Sequence, residues 1–235
     1  MFGKRFLISF ILFTLALSLL MFRADSINSI EIFGPEDKPY GLTYEDHAKN
    51  WWKWLISMPI DINPTKDKTG DKCINGQENS NSSLFYLAGG GGGLFERTCE
   101  IPFGKGILIP VMVVEVSEKE APQATPGDLR KIAKNDQDHV TSLYIKIDDK
   151  EYKYEDLIKY RINTTDLFEL HFPKNAMYGV SEGPSLASAD GFYIIAKPLP
   201  KGEHIVQFKS SLFCPEETCV DVNWAQDIKY NLLVN

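Results

Sequence analysis

The chain has 235 residues, of which 25 are basic and 32 are acidic, and its formal net charge is −7. Proteins that bind nucleic acid rely largely on Lys and Arg to neutralise phosphates, so an acidic chain without a dense basic run argues against that function. The length is sufficient for one sizeable hydrophobic core or two small ones.

The N-terminus has the pattern of an export signal. Lys4 and Arg5 precede an apolar run over residues 6–22. This run is long for a cleaved signal and short for a membrane span, so residues 1–22 are either a signal peptide or an N-terminal membrane anchor. Both alternatives predict an extracytoplasmic protein, secreted or anchored at the outer face of the membrane, that contacts membrane only through this segment. Residues 23–42 are predicted to be a linker.

A tryptophan-rich helix follows. Thr43 is a suitable N-cap, and the pattern predicts a helix over residues 44–58 that ends before Pro59. One helical face carries His47, Trp51, Trp54, Leu55 and Met58. Stripes of this kind usually pack against a sheet. Trp52 lies off the stripe, and it is the candidate ligand-binding residue, exposed and able to stack on a sugar or contact a partner.

The four cysteines all lie in the exported part of the chain, where disulfides are the default. Cys214 and Cys219 enclose four residues, which suits a local bridge across a loop. Cys73 would then pair with Cys99. Neither spacing matches the usual zinc-ligand pairs, so no metal site is predicted.

The rest of the chain alternates between short apolar segments and Gly or Pro turns, a pattern typical of strands. Pro110 interrupts the most apolar segment and predicts a bulge or an edge position, because proline has no N–H to donate. Thr125 and Pro126 begin a short helix that extends to about Asp138. The pattern predicts a mainly β fold, an antiparallel β-sandwich of jelly-roll or immunoglobulin-like type. One or two helices are expected in its N-terminal half, and residues 43–235 are expected to form a single domain.

Several distinct motifs are distributed along the exported part. They are Trp51-Trp52-x-Trp54, Asp67-x-Thr69-Gly70-x-x-Cys73-x-x-Gly76-Gln77, Arg97-x-Cys99-x-Ile101-Pro102-x-Gly104-Lys105, Asp190-Gly191-Phe192-Tyr193, and Pro198-Leu199 followed by Gly202-x-His204. In combination they resemble an uncharacterised family of exported microbial proteins. The resemblance implies export and a common fold, and it carries no catalytic role because that family has no established activity.

Four residues are weak candidates for catalysis: Glu115, Asp190, His171 and His204. Glu115 lies in the most apolar strand, where a lone carboxylate needs a partner. We expect an ion pair with Arg97 or Arg161, Arg97 being the first choice, in preference to a general acid beside Asp190. No histidine pair has metal-site spacing, and surface or core histidines are the simpler interpretation. The glycine run at residues 89–93 lacks the Lys-Ser or Lys-Thr of a phosphate loop, so a nucleotide site is not predicted.

Two functions remain from different classes. The leading interpretation is a non-enzymatic extracytoplasmic β-sandwich that binds a cell-surface component, a glycan or an envelope protein, without a cofactor. The alternative is an exported hydrolase that uses carboxylates, with or without a metal, on polysaccharide or a small polar substrate. Convergence of two carboxylates in one open pocket would favour the enzyme, whereas dispersal or burial of these groups would favour the binding protein.

Overall fold

The computed structural model describes residues 30–77, 83–215 and 223–235. The chain divides into two units, residues 1–31 and 32–235, and the fold below is that of the second. The predicted signal or anchor at residues 1–22 lies outside the described residues. Among the residues that are described, no helix is long and apolar enough to span a membrane.

Two five-stranded sheets form a mainly β fold with few helices, which confirms the predicted sandwich class. The strands are β1 (Leu84–Tyr86), β2 (Gly93–Ile101), β3 (Gly106–Ser117), β4 (Val140–Ile147), β5 (Lys150–Lys153), β6 (Arg161–Asn163), β7 (Phe168–Phe172), β8 (Gly183–Ala196), β9 (Gly202–Phe213) and β10 (Asn223–Val234). The helices are α1 (Tyr44–Ile56), α2 (Pro126–Asp138) and α3 (Tyr154–Leu157), accompanied by four short 3-10 turns within the described residues.

The first sheet has the order β1-β3-β8-β6, with β7 also paired to β8, and the second has the order β2-β10-β9-β4-β5. Most pairs are antiparallel, but β1 pairs with β3 and β2 pairs with β10 in parallel. The inner face of β10 buries Ile228, Tyr230 and Leu232 in alternation, as expected for a strand with one face in the core.

The predicted interruption at Pro110 is a bulge in a strand that lies between two others. The register of β3 against β8 shifts between Pro110 and Met112, which leaves Val111 outside the ladder. Two side chains of the second sheet donate to the Val111 carbonyl oxygen, the Ser210 hydroxyl at 2.6 Å and the Gln226 amide at 2.8 Å. The bulge therefore joins the two sheets through hydrogen bonds.

Both predicted helices begin where their caps indicated. Thr43 and Asp46 form a capping box at the start of α1, and Thr125 and Asp128 form another at the start of α2. The helix α2 covers the end of the first sheet, where Leu129 and Ala133 pack on Val116. Part of the predicted linker lies on the same sheet, because the Phe33 N–H donates to the Ile195 carbonyl.

The predicted disulfide between Cys73 and Cys99 is present and joins the loop after α1 to β2. Cys214 is also disulfide-bonded, and its expected partner Cys219 lies outside the described residues. Disulfides persist in oxidising compartments, so this bridge is typical of an extracytoplasmic protein.

Non-reducing peptide mapping is expected to recover Cys73 linked to Cys99 and Cys214 linked to Cys219. Replacement of Cys73 and Cys99 by Ser should lower the free energy of unfolding by about 3 kcal/mol, because the open chain gains conformational entropy when unfolded. The matched double replacement of Cys214 and Cys219 should cost less, since the loop it opens is shorter. Free thiols at all four positions would contradict both pairings.

Candidate functional site

Arg97 is fully buried, and carbonyl oxygens surround its guanidinium. Its Nε donates to the Asp67 carbonyl at 2.7 Å and its Nη1 to the Ala88 carbonyl at 2.8 Å, with further bonds to the carbonyls of Thr65 and Gly89. The Tyr230 hydroxyl accepts another bond. The rings of Phe95 and Tyr230 lie 4.7 and 5.3 Å from the guanidinium carbon. Backbone dipoles and aromatic faces thus replace water around this cation.

The predicted pairing of Arg97 with Glu115 is wrong. The donors of Arg97 bind the carbonyls of two loops, and Glu115 belongs to β3 in the other sheet. The sequence indicated correctly that each charge needs a partner, but it could not indicate that backbone oxygens would serve Arg97.

The tryptophans of α1 lie in the core. The indole N–H of Trp51 donates to the Leu87 carbonyl at 2.8 Å, and that of Trp54 donates to the Asn75 carbonyl at 3.1 Å. The prediction that Trp52 is exposed is wrong: it is 3% exposed and donates to the Tyr193 hydroxyl at 2.7 Å. Because the first sheet and the loop after α1 both cover this helix, its buried surface extends beyond the single stripe that helical periodicity indicated.

Trp52 nevertheless borders a small cavity of about 80 Å³ between α1, β3 and the start of β10. The residues that line it are Trp51, Trp52, Leu55, Thr65, Gly89, Gly90, Pro110, Val113, Met177, Tyr178, Trp224 and Gln226. Three of the four tryptophans of the chain are therefore part of its wall.

Glu115 faces a second carboxyl group, that of Glu120. Glu115 is 5% exposed, and among the described residues no N–H or O–H group reaches either of its carboxyl oxygens. Burial raises the pKa of Glu115 well above its usual range, and the negative charge of Glu120 raises it further. Glu120 is in turn held by Ser117, whose hydroxyl and N–H both donate to its Oε2. The arrangement fits a neutral Glu115 that donates its proton to the ionised Glu120.

Tyr178 lies near enough to this pair of carboxyl groups for their charges to act on it. It has a φ of 64°, a left-handed conformation that is uncommon for a tyrosine, and Gly179 follows with a φ of 67°. Burial raises the pKa of Tyr178, and the charges of Glu115 and Glu120 raise it further, although 54% of the residue's surface is exposed. Its hydroxyl end therefore lies near the carboxyl groups while the ring borders solvent.

Asp190 is not beside Glu115, contrary to the interpretation that combined them in one acid site. In the register of β3 and β8, Asp190 opposes Val114 and Glu115 opposes Ala189, so the two carboxyl groups point to opposite faces of the sheet. Asp190 is fully buried in a bidentate ion pair, with Arg161 Nε and Nη2 both 2.9 Å from its oxygens. Burial raises the pKa of Asp190, although the neighbouring Arg161 lowers it.

The candidate histidines lie apart from both acids. His171 is exposed on β7, and its side chain makes no hydrogen bond within the described part of the chain. His204 lies at the start of β9, where its Nδ1 is 2.7 Å from Asp148 Oδ2 and its Nε2 is 2.9 Å from the Pro200 carbonyl. The first contact is with the turn that follows β4, and the second is with the segment that precedes β9.

His204 also borders a cleft of about 810 Å³ on the outer face of the second sheet. It is lined by Thr98, Lys146, Asp148, Asp149, Glu203, His204, Ile205, Gln207, Lys229, Asn231, Leu232 and Leu233. This volume is within the range of small-molecule sites, about 300–1,000 Å³. The site thus combines one histidine that the sequence singled out with polar residues that it did not.

The structure disperses the predicted catalytic residues over four places. Glu115 is buried with Glu120, Asp190 is in an ion pair, His171 is exposed, and His204 borders the cleft. Glu120 and Tyr178 were not singled out from the sequence. The spacing Ser117-x-x-Glu120 was a signal for Glu120, because a glutamate three residues after a serine can turn back to accept from the serine N–H, as it does here in the turn after β3.

No family model matches the chain, and no curated protein matches it. Among solved structures, one chain described as "Structure of PbICP-C in complex with falcipain-2" aligns with 65% of this chain and 98% of its own length. The identity is 11% and the TM-score is 0.25, too low to indicate a shared fold.

Replacement of Arg97 by Met is expected to lower the free energy of unfolding by about 3–5 kcal/mol, because the carbonyl oxygens of Thr65, Asp67 and Gly89 would lose the donor that Arg97 supplies. Urea denaturation measures this loss. Arg130→Met on α2 is the matched control and should have little effect. A similar loss in both variants would contradict the structural role of Arg97.

Glu115→Gln should remove part of the pH dependence of stability. A carboxyl group whose pKa is raised by folding stabilises the protein below its unfolded pKa, about 4.3, and this contribution is lost as the pH rises through the folded value. Wild type should therefore lose up to about 1.4 kcal/mol per pH unit relative to Glu115→Gln within that window. Glu169→Gln, an exposed control, should follow wild type. Parallel curves for wild type and Glu115→Gln would contradict a buried proton on Glu115.

Proposed function

We propose that the protein is a non-enzymatic, extracytoplasmic β-sandwich that binds a cell-surface glycan in the cleft on its second sheet. The observation that carries this proposal is the cleft of about 810 Å³, which is about ten times the volume of the cavity beside α1. A cleft of this volume suits a short segment of a polar chain, whereas a stable protein interface requires a larger and flatter area, about 800 Å² per partner.

The chemistry of the cleft supports a polar, uncharged or weakly charged ligand. The side chains of Lys146, Asp149 and Glu203 make no hydrogen bond or ion pair within the described residues, so they are available to a ligand. Ile205 and Leu233 add partly exposed aliphatic surface, 42% and 39% exposed. Hydroxyl groups of a sugar would bind the polar side chains, and its C–H groups would contact the aliphatic ones.

A second candidate, the exported carboxylate-dependent hydrolase, is favoured by the Glu115–Glu120 pair. Two carboxyl groups that share a proton supply both an acid and a base for hydrolysis. Glu115 is buried, and the other candidate acid, Asp190, is in an ion pair with Arg161. We therefore rank binding first. Hydrolysis of polysaccharide that is abolished by Glu115→Gln would reverse this order.

We also propose that the protein belongs to the uncharacterised exported family. It would be secreted, or anchored to the membrane, through residues 1–22. The Cys73–Cys99 disulfide supports an oxidising location.

The test is a glycan panel probed with the exported chain, followed by calorimetry on any glycan that binds. Lys146→Ala combined with Glu203→Ala should weaken binding at least tenfold, because charge-assisted hydrogen bonds would be lost. The control pairs Lys174→Ala with Glu169→Ala, which removes the same charges from exposed positions on the other side of the fold and should leave affinity unchanged. Absence of any bound glycan, or capture of an envelope protein through the cleft, would contradict the proposal.

A further inference from the structure

The cavity beside α1 has the composition of a small ligand site. Trp51, Trp52, Trp224 and Tyr178 supply aromatic walls. The described side chains that line it include no Asp, Glu, Lys, Arg or His, so the cavity offers no charge to a ligand. A neutral group with apolar surface is therefore the chemistry that it suits.

One polar atom at the cavity lacks a partner. Thr65 is 92% buried, being 8% exposed, and its hydroxyl oxygen has no hydrogen bond within the described residues. Its backbone N–H donates to Asn63 and its carbonyl accepts from Arg97, so only the hydroxyl remains. The buried polar side chains beside it are engaged: Trp51 and Trp52 donate to Leu87 and Tyr193, and the Gln226 amide donates to Val111. A buried unpaired hydroxyl costs about 1–3 kcal/mol, which a ligand hydrogen bond would recover.

The volume limits what can enter. The volume of about 80 Å³ is about a tenth of that of the cleft, which suits a small substituent of a ligand in preference to a whole sugar ring. The opening is bordered by Tyr178 and Trp224, which are both partly exposed, so the rest of a ligand would lie outside against two aromatic rings.

We propose that this cavity binds the acetamido group of an N-acetylated sugar. The methyl group contacts the faces of Trp51 and Trp52, and the Thr65 hydroxyl bonds to the amide. The sugar ring lies outside against Trp224 and Tyr178, because aromatic faces pack well on C–H groups. This inference is independent of the cleft: the cavity meets β10 at Trp224 and Gln226, whereas the cleft meets it from Lys229 to Leu233.

The four tryptophan indoles provide a direct test, because three line the cavity and Trp54 does not. Titration with N-acetylglucosamine, followed by the indole N–H signals in a nitrogen-15 NMR spectrum, should shift Trp51, Trp52 and Trp224 and leave Trp54 in place. Acetamide alone should shift Trp51 and Trp52 more weakly. Glucose, which lacks the acetamido group, should shift none of them.

Thr65→Val is the decisive variant, since it removes the hydroxyl and keeps the shape of the side chain. It should weaken the binding of N-acetylglucosamine about tenfold, while Thr65→Ser should retain it. Lys146→Ala in the cleft should not change these shifts, which separates the cavity from the proposed function. Equal shifts with glucose, an equal response of Trp54, or unchanged binding by Thr65→Val would overturn the proposal. So would the absence of any shift.

Discussion

The buried guanidinium of Arg97 is the interaction on which the organisation of both candidate sites depends. It extends from β2, and its donors bind the loop after α1 through Asp67 and Thr65, the start of the glycine run through Ala88 and Gly89, and β10 through Tyr230. These segments form the walls of the aromatic cavity, and β2 and β10 continue into the floor of the cleft. A neutral side chain in this place would leave several buried carbonyl oxygens without a donor, which is costlier than the loss of a single surface contact.

The loop after α1 follows β2 closely because of one glycine. Gly70 has a φ of 101°, and a Cβ atom at this position would lie 2.2 Å from the Thr98 carbonyl oxygen. The Thr98 N–H donates to the Thr69 carbonyl at 2.8 Å, and the Cys73–Cys99 bridge joins the same two segments. Backbone contact, hydrogen bond and disulfide therefore fix the loop against the strand from which Arg97 extends.

The acidic residues show how strand register assigns chemistry. Glu115 and Asp190 lie in neighbouring strands, and a difference of one position places them on opposite faces of the first sheet. On one face, Glu115 is buried near the carboxyl group of Glu120, and both the burial and the charge of Glu120 raise its pKa. On the other face, Asp190 meets the guanidinium of Arg161, which also binds Asp138 of α2. Two similar carboxyl groups thus acquire different roles from their surroundings, one as a neutral acid and the other as part of a structural ion pair.

The sequence alone determined the local features: both helix N-caps, the two main helices, an interruption at Pro110, the Cys73–Cys99 pair and the alternation that indicates a sandwich. These depend on neighbouring residues or on the period of the side chains, so a linear chain contains them. It also identified Glu115, Trp52 and His204 as unusual, but not their partners. Only the tertiary structure decided that Trp52 donates to Tyr193, 141 residues away, and that Arg97 binds Tyr230, 133 residues away. Such contacts depend on strand register and on how the sheets pack. A one-residue shift in the register of a strand would exchange its buried and exposed faces.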